Sequence, residues 1–301
     1  MWAADEECRL GPDGHAEHAS GGDRDRARAH GARRYVARRR ASLNGVRLLL
    51  SALRCEKGAI DLNLAEHRRT LRDARDADCA LVLLPEMSLT GSVDPARHPE
   101  RLVALDHPAV GALVDATAEV GVAAAFGIAE QTAGGPYITQ VVAAGGRIVG
   151  VQRKRHLGEG EEAFRAADDD AVFTVDATRF GIAICAEGRT DRPFARARAA
   201  GASLVCFPAA PGLDGPRRTT EAEWRAGWDW WCDCAFGDAR RHARERGLWI
   251  AIASQAGTTI DEDFPGLAAL VDPHGVVVAQ SPDWRATALV VDLPEDLGQT
   301  G

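Results

Sequence analysis

Short apolar runs alternate with amphipathic stretches along the chain from about residue 46 onward. Apolar runs of four to eight residues are typical of buried strands, and a 3.6-residue period is typical of helices. Strands are predicted at 46–53, 80–84, 122–128, 138–144, 148–152, 172–175, 180–184, 203–207, 248–254, 267–271, 276–279 and 286–291. Helices are predicted at 60–77, 107–120, 191–200 and about 220–246. Because strands that are apolar throughout must be covered on both faces, this pattern predicts an α/β layered sandwich in one domain.

The first 43 residues have a different character. They are rich in Gly, Ala, Asp, Arg and His, and residues 24–40 contain eight Arg and one Asp. A signal peptide is disfavoured, because Arg47 and Arg54 flank an apolar run that is too short for one. We predict a disordered Arg-rich extension at 1–43, one folded domain at 44–293 and a short tail at 294–301. The extension is either dispensable or a site for an acidic partner.

Composition narrows the function classes. The net charge of −8 argues against a general nucleic-acid role, and the hydrophobic content of 46% supports a sizeable core. No apolar run is long enough to span a membrane, so no membrane association is expected. The seven cysteines are odd in number and irregularly spaced, as in reduced thiols, and predict a cytoplasmic protein. Cys232 and Cys234 lack a second ligand pair, so no metal site is predicted.

Three reactive side chains follow predicted strands. Glu86 comes after the apolar strand 80–84, Lys154 after the strand 148–152, and Cys185 after the strand 180–184. Each alone has an ordinary interpretation: a carboxylate at the rim, a solvated charge and a buried core thiol. Strand ends gather at one edge of an α/β sheet, however, and active sites are commonly built there. A base, a cation and a thiol at one edge suit acyl transfer through a thiolate.

These motifs resemble those of the nitrilase (carbon–nitrogen hydrolase) superfamily. The resemblance covers about residues 46–292. The glutamate, lysine and cysteine motifs are matched, in order, by Leu84-Pro85-Glu86-Met87-Ser88-Leu89-Thr90-Gly91, Arg153-Lys154-Arg155-His156-Leu157 and Gly181-Ile182-Ala183-Ile184-Cys185-Ala186-Glu187. Downstream matches are Gly201-Ala202, Phe207-Pro208-Ala209 and Asp272-Pro273-His274-Gly275. The resemblance implies a four-layer α-β-β-α sandwich.

The same resemblance implies roles for individual residues. Glu86 would be the general base and later the general acid, and Cys185 would be the nucleophile that forms a thioester. Lys154 would stabilise the oxyanion together with the backbone N–H of Ala186. A second glutamate often follows the lysine motif, and Glu162 fits its spacing, with Glu161 as the alternative. Members usually dimerise, so a homodimer or higher homo-oligomer is expected, with no cofactor.

Two features bear on the substrate. Ala186 and Glu187 stand where amide- and carbamoyl-cleaving branches often carry an aromatic residue and an acid, and nitrile-cleaving branches Trp-Glu. We expect both residues to contact substrate. Trp224, Trp228 and Trp231 recur on one face of the predicted helix 220–246. This face is either a wall of the substrate pocket, with Trp228 as the candidate contact, or packing in the core or at a dimer interface.

The predicted function is therefore cysteine-dependent hydrolysis of a small non-peptide C–N bond. A linear amide or N-carbamoyl compound is favoured, with release of ammonia or an amine. Nitrile hydrolysis is the first alternative. The second is an acyl-transferring or non-catalytic relative that uses the same pocket.

Overall fold

The computed structural model describes residues 33–36, 45–176 and 178–294. Most of the extension predicted at 1–43, and the tail from 295, lie outside the described residues. Residues 33–36 form a strand that pairs in parallel with the strand at Thr287–Leu293. The predicted domain boundaries stay a prediction.

Fifteen strands and four α-helices are described. The strands are β1 (Arg33–Val36), β2 (Val46–Ala52), β3 (Leu81–Leu83), β4 (Ala123–Thr132), β5 (Gly135–Ala144), β6 (Arg147–Arg153), β7 (Val172–Val175), β8 (Thr178–Ile182), β9 (Leu204–Ala209), β10 (Trp249–Ser254), β11 (Ala256–Thr258), β12 (Asp263–Pro265), β13 (Ala268–Val271), β14 (Val277–Gln280) and β15 (Thr287–Leu293). The helices are α1 (Ile60–Asp76), α2 (Pro108–Val120), α3 (Arg192–Ala199) and α4 (Glu221–Arg246). All the predicted elements are present, and β1, β11 and β12 were not predicted.

Two large sheets share one plan. The first has the strand order β1-β15-β2-β3-β4-β5-β6, and the second has the order β14-β13-β10-β9-β8-β7. Each contains three parallel strands at its centre, β2-β3-β4 in one and β8-β9-β10 in the other. Helices connect these parallel strands, as a parallel crossover requires. The predicted hairpin around Gly145 and Gly146 joins β5 to β6.

The alternation of side chains along the strands divides the core into two parts. In β2, Leu48 and Leu50 belong to the core between the sheets, while Leu49 belongs to the core beneath α1 and α2. Helices α3 and α4 contact the second sheet, and β2 contacts β10 across the sandwich. The layers are thus α1 and α2, the first sheet, the second sheet, then α3 and α4. This confirms the α-β-β-α sandwich.

The two sheets join at the carboxyl ends of their parallel strands. Leu53, just after β2, forms a parallel bridge with Gln255, just after β10. The N–H of Leu53 donates to the carbonyl of Ser254 at 3.3 Å, and the N–H of Ala256 donates to the carbonyl of Leu53 at 2.9 Å. The parallel strands of both sheets therefore end at one edge of the molecule.

Helix α4 is the longest helix described and has a well-defined start and end. The Thr220 hydroxyl accepts from the N–H of Glu223, whose carboxylate accepts from the N–H of Thr220. This reciprocal capping box satisfies donors that a helix start leaves unpaired. Gly247 ends the helix in the left-handed conformation. Among the described residues, no helix is both long and apolar enough to cross a bilayer.

Strand β4 approaches the turn after β3 very closely. A Cβ atom added to Gly127 would lie 2.1 Å from the backbone nitrogen of Met87. The N–H of Leu89 also donates to the carbonyl of Gly127 at 2.9 Å. Glycine at 127 thus lets the turn that carries Glu86 lie directly on the sheet.

We expect Gly127→Ala to lower the free energy of unfolding by about 1–3 kcal/mol, because the added methyl group overpacks this contact. Gly111→Ala is the matched control. It lies on the exposed side of α2 with open space around its Cα, and we expect it to stabilise the protein by about 0.5–1 kcal/mol. Urea unfolding of both variants measures the difference. Equal effects would contradict the close approach described here.

Candidate active site

Glu86 is a buried carboxylate, 1% exposed, in the turn that follows β3. One carboxylate oxygen accepts from the Nζ of Lys154 at 2.7 Å, and the other accepts from the N–H of Ala210 at 2.9 Å. The carbonyl of Glu86 accepts from the Nε2 of Gln255 at 2.8 Å. Ala210 follows β9 and Gln255 follows β10, so the second sheet holds a side chain that the first sheet supplies.

Lys154 lies just after β6 and is fully buried, at 0% exposure. Its Nζ is 2.7 Å from Glu86 Oε1 and 2.7 Å from Glu161 Oε1. Burial alone would lower the pKa of Lys154. The carboxylates of Glu86 and Glu161 outweigh that effect and raise the pKa above its usual value, so the side chain is an ammonium.

Cys185 begins a 3-10 turn after β8 and is 2% exposed. Its φ of 47° lies in the left-handed region, which is uncommon for a residue with a Cβ. Met87, beside Glu86, has a φ of 48°. Such strained residues persist where the surrounding structure holds them, and they cluster at functional sites. Strain on both sides of one contact marks this edge as a candidate active site.

The thiol and the carboxylate interact. The charges of Glu86 and Lys154 both act on the thiol of Cys185, and the backbone of Ala210, whose N–H donates to Glu86, also acts on the thiol. Burial raises the pKa of Cys185, the Glu86 carboxylate adds to the rise, and Lys154 opposes it. Burial likewise raises the pKa of Glu86 against the effect of Lys154. The resting site therefore holds a thiol beside a base whose proton affinity is increased.

The auxiliary glutamate differs from the prediction. Glu161 contacts Lys154, and its second oxygen accepts from the N–H of Gly158 at 2.6 Å. Glu162 is exposed and accepts from the N–H of Gly160 at 3.0 Å. The prediction of Glu162 at the lysine is wrong, and the alternative, Glu161, occupies that place. The loop conformation turns only Glu161 inward.

Glu187 was expected to contact substrate, but its carboxylate is occupied within the protein. It is 1% exposed, and its oxygens accept from the N–H of Ile184 at 2.7 Å and the N–H of Arg155 at 2.8 Å. We therefore correct the expected substrate contact to an internal one. Ala186 is buried beside Cys185, and a Cβ added to Gly158 would lie 3.6 Å from its methyl group. A substrate contact for Ala186 stays a prediction.

The tryptophans of α4 separate into two environments. Trp231 belongs to the core, because its Nε1 donates to Ser254 Oγ at 2.9 Å and its ring meets Phe207 edge-on. Trp228 is 7% exposed and lies under the guanidinium of Arg225, 5.0 Å from the ring centre. In the described part of the chain, the Nε1 of Trp228 has no hydrogen-bond partner. Trp228 as a substrate contact remains a prediction.

A buried polar relay behind Glu86 was not identified from the sequence. His67 on α1 donates from Nδ1 to the carbonyl of Asn63 at 2.6 Å, so its Nε2 accepts from the Ser88 hydroxyl at 2.9 Å. Ser88 Oγ in turn accepts from the N–H of Gly127 at 3.1 Å. The available signal was the polar character of Asn63 and His67, which are one turn apart on the face of α1 that packs inward.

A second cluster of titratable groups is neutralised by arginines. Within the described ranges, ligand atoms of Asp191, His242 and Glu245 lie within 4.8 Å of one another. The guanidiniums of Arg241 and Arg246 already pair with Asp191, at 3.0 and 3.3 Å. The Asp191 carboxylate is thus already paired with two cationic side chains, and we assign no metal to this cluster.

Comparison with known sequences identifies two similarities. The sequence model of the carbon–nitrogen hydrolase family matches residues 51–301. The glutamine-dependent NAD(+) synthetase of Rhodobacter capsulatus is 26% identical over 261 residues, which are 82% of this chain and 43% of the synthetase. The chain thus spans less than half the length of that curated relative.

Comparison with solved structures identifies the same fold. An amidase from Nesterenkonia sp. superposes with a TM-score of 0.72 at 22% identity, covering 86% of this chain and 94% of that chain. A variant of that amidase, with the acetamide moiety of fluoroacetamide added covalently at its active-site cysteine, superposes with a TM-score of 0.73 at 20% identity. That comparison covers 87% of this chain and 95% of the variant chain.

The relay behind Glu86 predicts a pH dependence of stability. Burial lowers the pKa of His67 from 6.5 to about 4. Between these values the unfolded chain binds a proton that the folded chain does not, so stability is present above pH 6.5 and is lost as the pH falls. The full effect on the free energy of unfolding is about 3 kcal/mol.

Urea unfolding from pH 7 to 4 should show a shallower pH dependence of stability in His67→Gln than in the wild-type protein. His274→Gln, in an exposed turn, should keep the wild-type dependence, and equal slopes in all three proteins would contradict this account.

Proposed function

The chain belongs to the carbon–nitrogen hydrolase family, within the nitrilase superfamily, and from this membership we propose cysteine-dependent hydrolysis of a small non-peptide amide or N-carbamoyl compound. One observation supports this proposal most. At the edge where the two sheets meet, the Lys154 ammonium bridges Glu86 and Glu161 at 2.7 Å each, and the charges of Glu86 and Lys154 both act on the buried thiol of Cys185.

The acylation step begins from a buried thiol on which the Glu86 carboxylate acts. Glu86 takes the proton of Cys185 while the sulfur attacks the carbonyl carbon of the amide. Negative charge develops on the carbonyl oxygen, and we assign its stabilisation to the Lys154 ammonium and the N–H of Ala186. Glu86 then protonates the leaving nitrogen, the C–N bond breaks, and ammonia or an amine leaves a thioester on Cys185.

The deacylation step repeats the proton transfers with water. Glu86 takes a proton from a water molecule, and the oxygen of that water molecule attacks the thioester carbon. The C–S bond then breaks, Cys185 recovers a proton from Glu86, and the carboxylic acid departs. Glu161 holds the Lys154 ammonium at 2.7 Å while Glu86 changes protonation state.

The similar proteins favour amides over nitriles as the substrates of this chain. The two solved structures compared above are those of an amidase, and the synthetase of Rhodobacter capsulatus is glutamine-dependent; the side chain of glutamine is a primary carboxamide. We keep nitrile hydrolysis and acyl transfer as alternatives. Acyl transfer is distinguished by an acyl adduct on Cys185 that an amine clears and water does not.

A homodimer or higher homo-oligomer remains a prediction that sedimentation analysis tests.

We expect Cys185→Ala to lower ammonia release by about 10⁴-fold or more, because the reaction loses its nucleophile. The assay is ammonia release from a panel of linear amides including glutamine, N-carbamoyl amino acids and nitriles. Cys234→Ser, on the partly exposed side of α4, is the thiol control and should keep wild-type turnover. Turnover by folded Cys185→Ala at the wild-type rate would refute the mechanism.

We expect Glu161→Gln to lower kcat by about 100-fold, because the Lys154 ammonium loses one of its two carboxylates and its fixed position. Glu162→Gln changes the neighbouring, exposed glutamate and should leave kcat within about twofold of wild type, as expected for a surface site. Steady-state kinetics on the best substrate of the panel compares the pair. A larger loss in Glu162→Gln would restore the assignment made from spacing.

A further inference from the structure

A buried carboxylate links the turn that carries the thiol to the loop that carries the ammonium. Glu187 accepts from the N–H of Ile184 at 2.7 Å with one oxygen and from the N–H of Arg155 at 2.8 Å with the other. We propose that Glu187 is a positioning residue, which sets the distance between Cys185 and Lys154.

The two hydrogen bonds act on the peptides next to the reacting groups. Ile184 immediately precedes Cys185, and Arg155 immediately follows Lys154. These segments come from different sheets, because Cys185 follows β8 and Lys154 follows β6. A change in the Glu187 contacts therefore moves the nucleophile relative to the ammonium. Active sites tolerate displacements of only about 0.5 Å before the rate falls.

The far side of the cysteine turn is held independently. A Cβ added to Gly188 would lie 2.5 Å from the Phe207 ring, and the Gly188 carbonyl accepts from His242 Nε2 at 2.8 Å. The His242 ring stacks on Phe194, with ring centres 3.7 Å apart. These contacts fix the turn against α3 and α4. The link from Glu187 to Arg155 instead fixes it against the lysine loop.

The chemistry of this position calls for a carboxylate. Only a carboxylate of this size accepts from several N–H groups and donates to none. Burial raises the pKa of Glu187 to about 7, although the N–H groups of Ile184 and Arg155 and the charge of Lys154 lower it. The glutamine side chain has nearly the same shape, but its NH₂ group would face a backbone N–H. The Glu187→Gln change thus removes one of the two hydrogen bonds to the N–H groups of Ile184 and Arg155, with little change in side-chain volume.

This inference rests on the proposed function, since positioning has a kinetic consequence only where Cys185 and Lys154 react. We expect Glu187→Gln to lower kcat by about 10–100-fold while KM stays within about threefold, because the substrate contacts are unchanged. Glu223→Gln is the matched control. Its carboxylate also accepts two backbone N–H groups, of Thr219 and Thr220, but on the exposed start of α4. It should keep wild-type kcat.

A second measurement needs no substrate. The rate at which iodoacetamide alkylates Cys185, followed by peptide mass spectrometry, reports how well the ammonium stabilises the thiolate. We expect this rate to fall in Glu187→Gln and to stay unchanged in Glu223→Gln, with thermal unfolding confirming that each variant is folded. If Glu187→Gln does not fold, Glu187→Asp replaces it, because the shorter carboxylate cannot reach both N–H groups and should also lower both rates.

The outcomes separate this inference from the proposed function. A folded Glu187 variant with wild-type kcat and wild-type alkylation overturns the positioning role and leaves the hydrolase intact. A wild-type protein that hydrolyses nothing in the panel, together with slower alkylation in the Glu187 variant, refutes the proposed substrates and supports the positioning role. Equal losses in Glu187→Gln and Glu223→Gln would show a general effect of stability and would also overturn it.

Discussion

The Lys154 ammonium lies without solvent contact between two carboxylates, and the rest of the site is arranged so that these charges can stay buried. A buried charge that loses its partner destabilises a protein by about 3–5 kcal/mol. Glu86 is therefore bonded on both oxygens, and Glu161 takes a backbone N–H on its second oxygen. Because two carboxylates share one ammonium, one of them retains a raised proton affinity. The constraint that keeps the charges buried thus also makes Glu86 a suitable base.

Holding these groups together requires both sheets. Glu86 and Lys154 follow strands of the first sheet, while Cys185 and Ala210 follow strands of the second. The bridge between Leu53 and Gln255 brings the carboxyl ends of both sets of parallel strands to one edge. Since each sheet repeats the same order of parallel strands and helices, the site lies where two similar halves meet. The amino-acid sequence itself contains no repeat.

Around the reacting atoms, backbone N–H groups and buried polar side chains determine the geometry. The His67–Ser88 relay and Gly127 support the turn of Glu86 from one side, and Gln255 supports it from another. Glu187 and His242 support the cysteine turn. This support lets Cys185 keep its left-handed conformation, which costs about 1–2 kcal/mol for a residue with a side chain. The rigidity of the site comes from residues that surround Glu86, Lys154 and Cys185.

The sequence predicted the four helices and twelve of the fifteen described strands, because apolar runs and their ends are local properties of the chain. It predicted a four-layer sandwich and identified Glu86, Lys154 and Cys185 as candidates. It favoured Glu162 over Glu161 by spacing and was wrong, since two adjacent glutamates have the same chemistry and only the conformation of the loop at Gly158 turns Glu161 inward. It also assigned Glu187 to the substrate, because Glu187 lies at one of the two positions after the cysteine that differ between amide- and nitrile-cleaving branches of the superfamily it resembles. Both glutamates could be assigned only from the folded structure, since which N–H groups face a carboxylate depends on contacts between segments far apart in the chain.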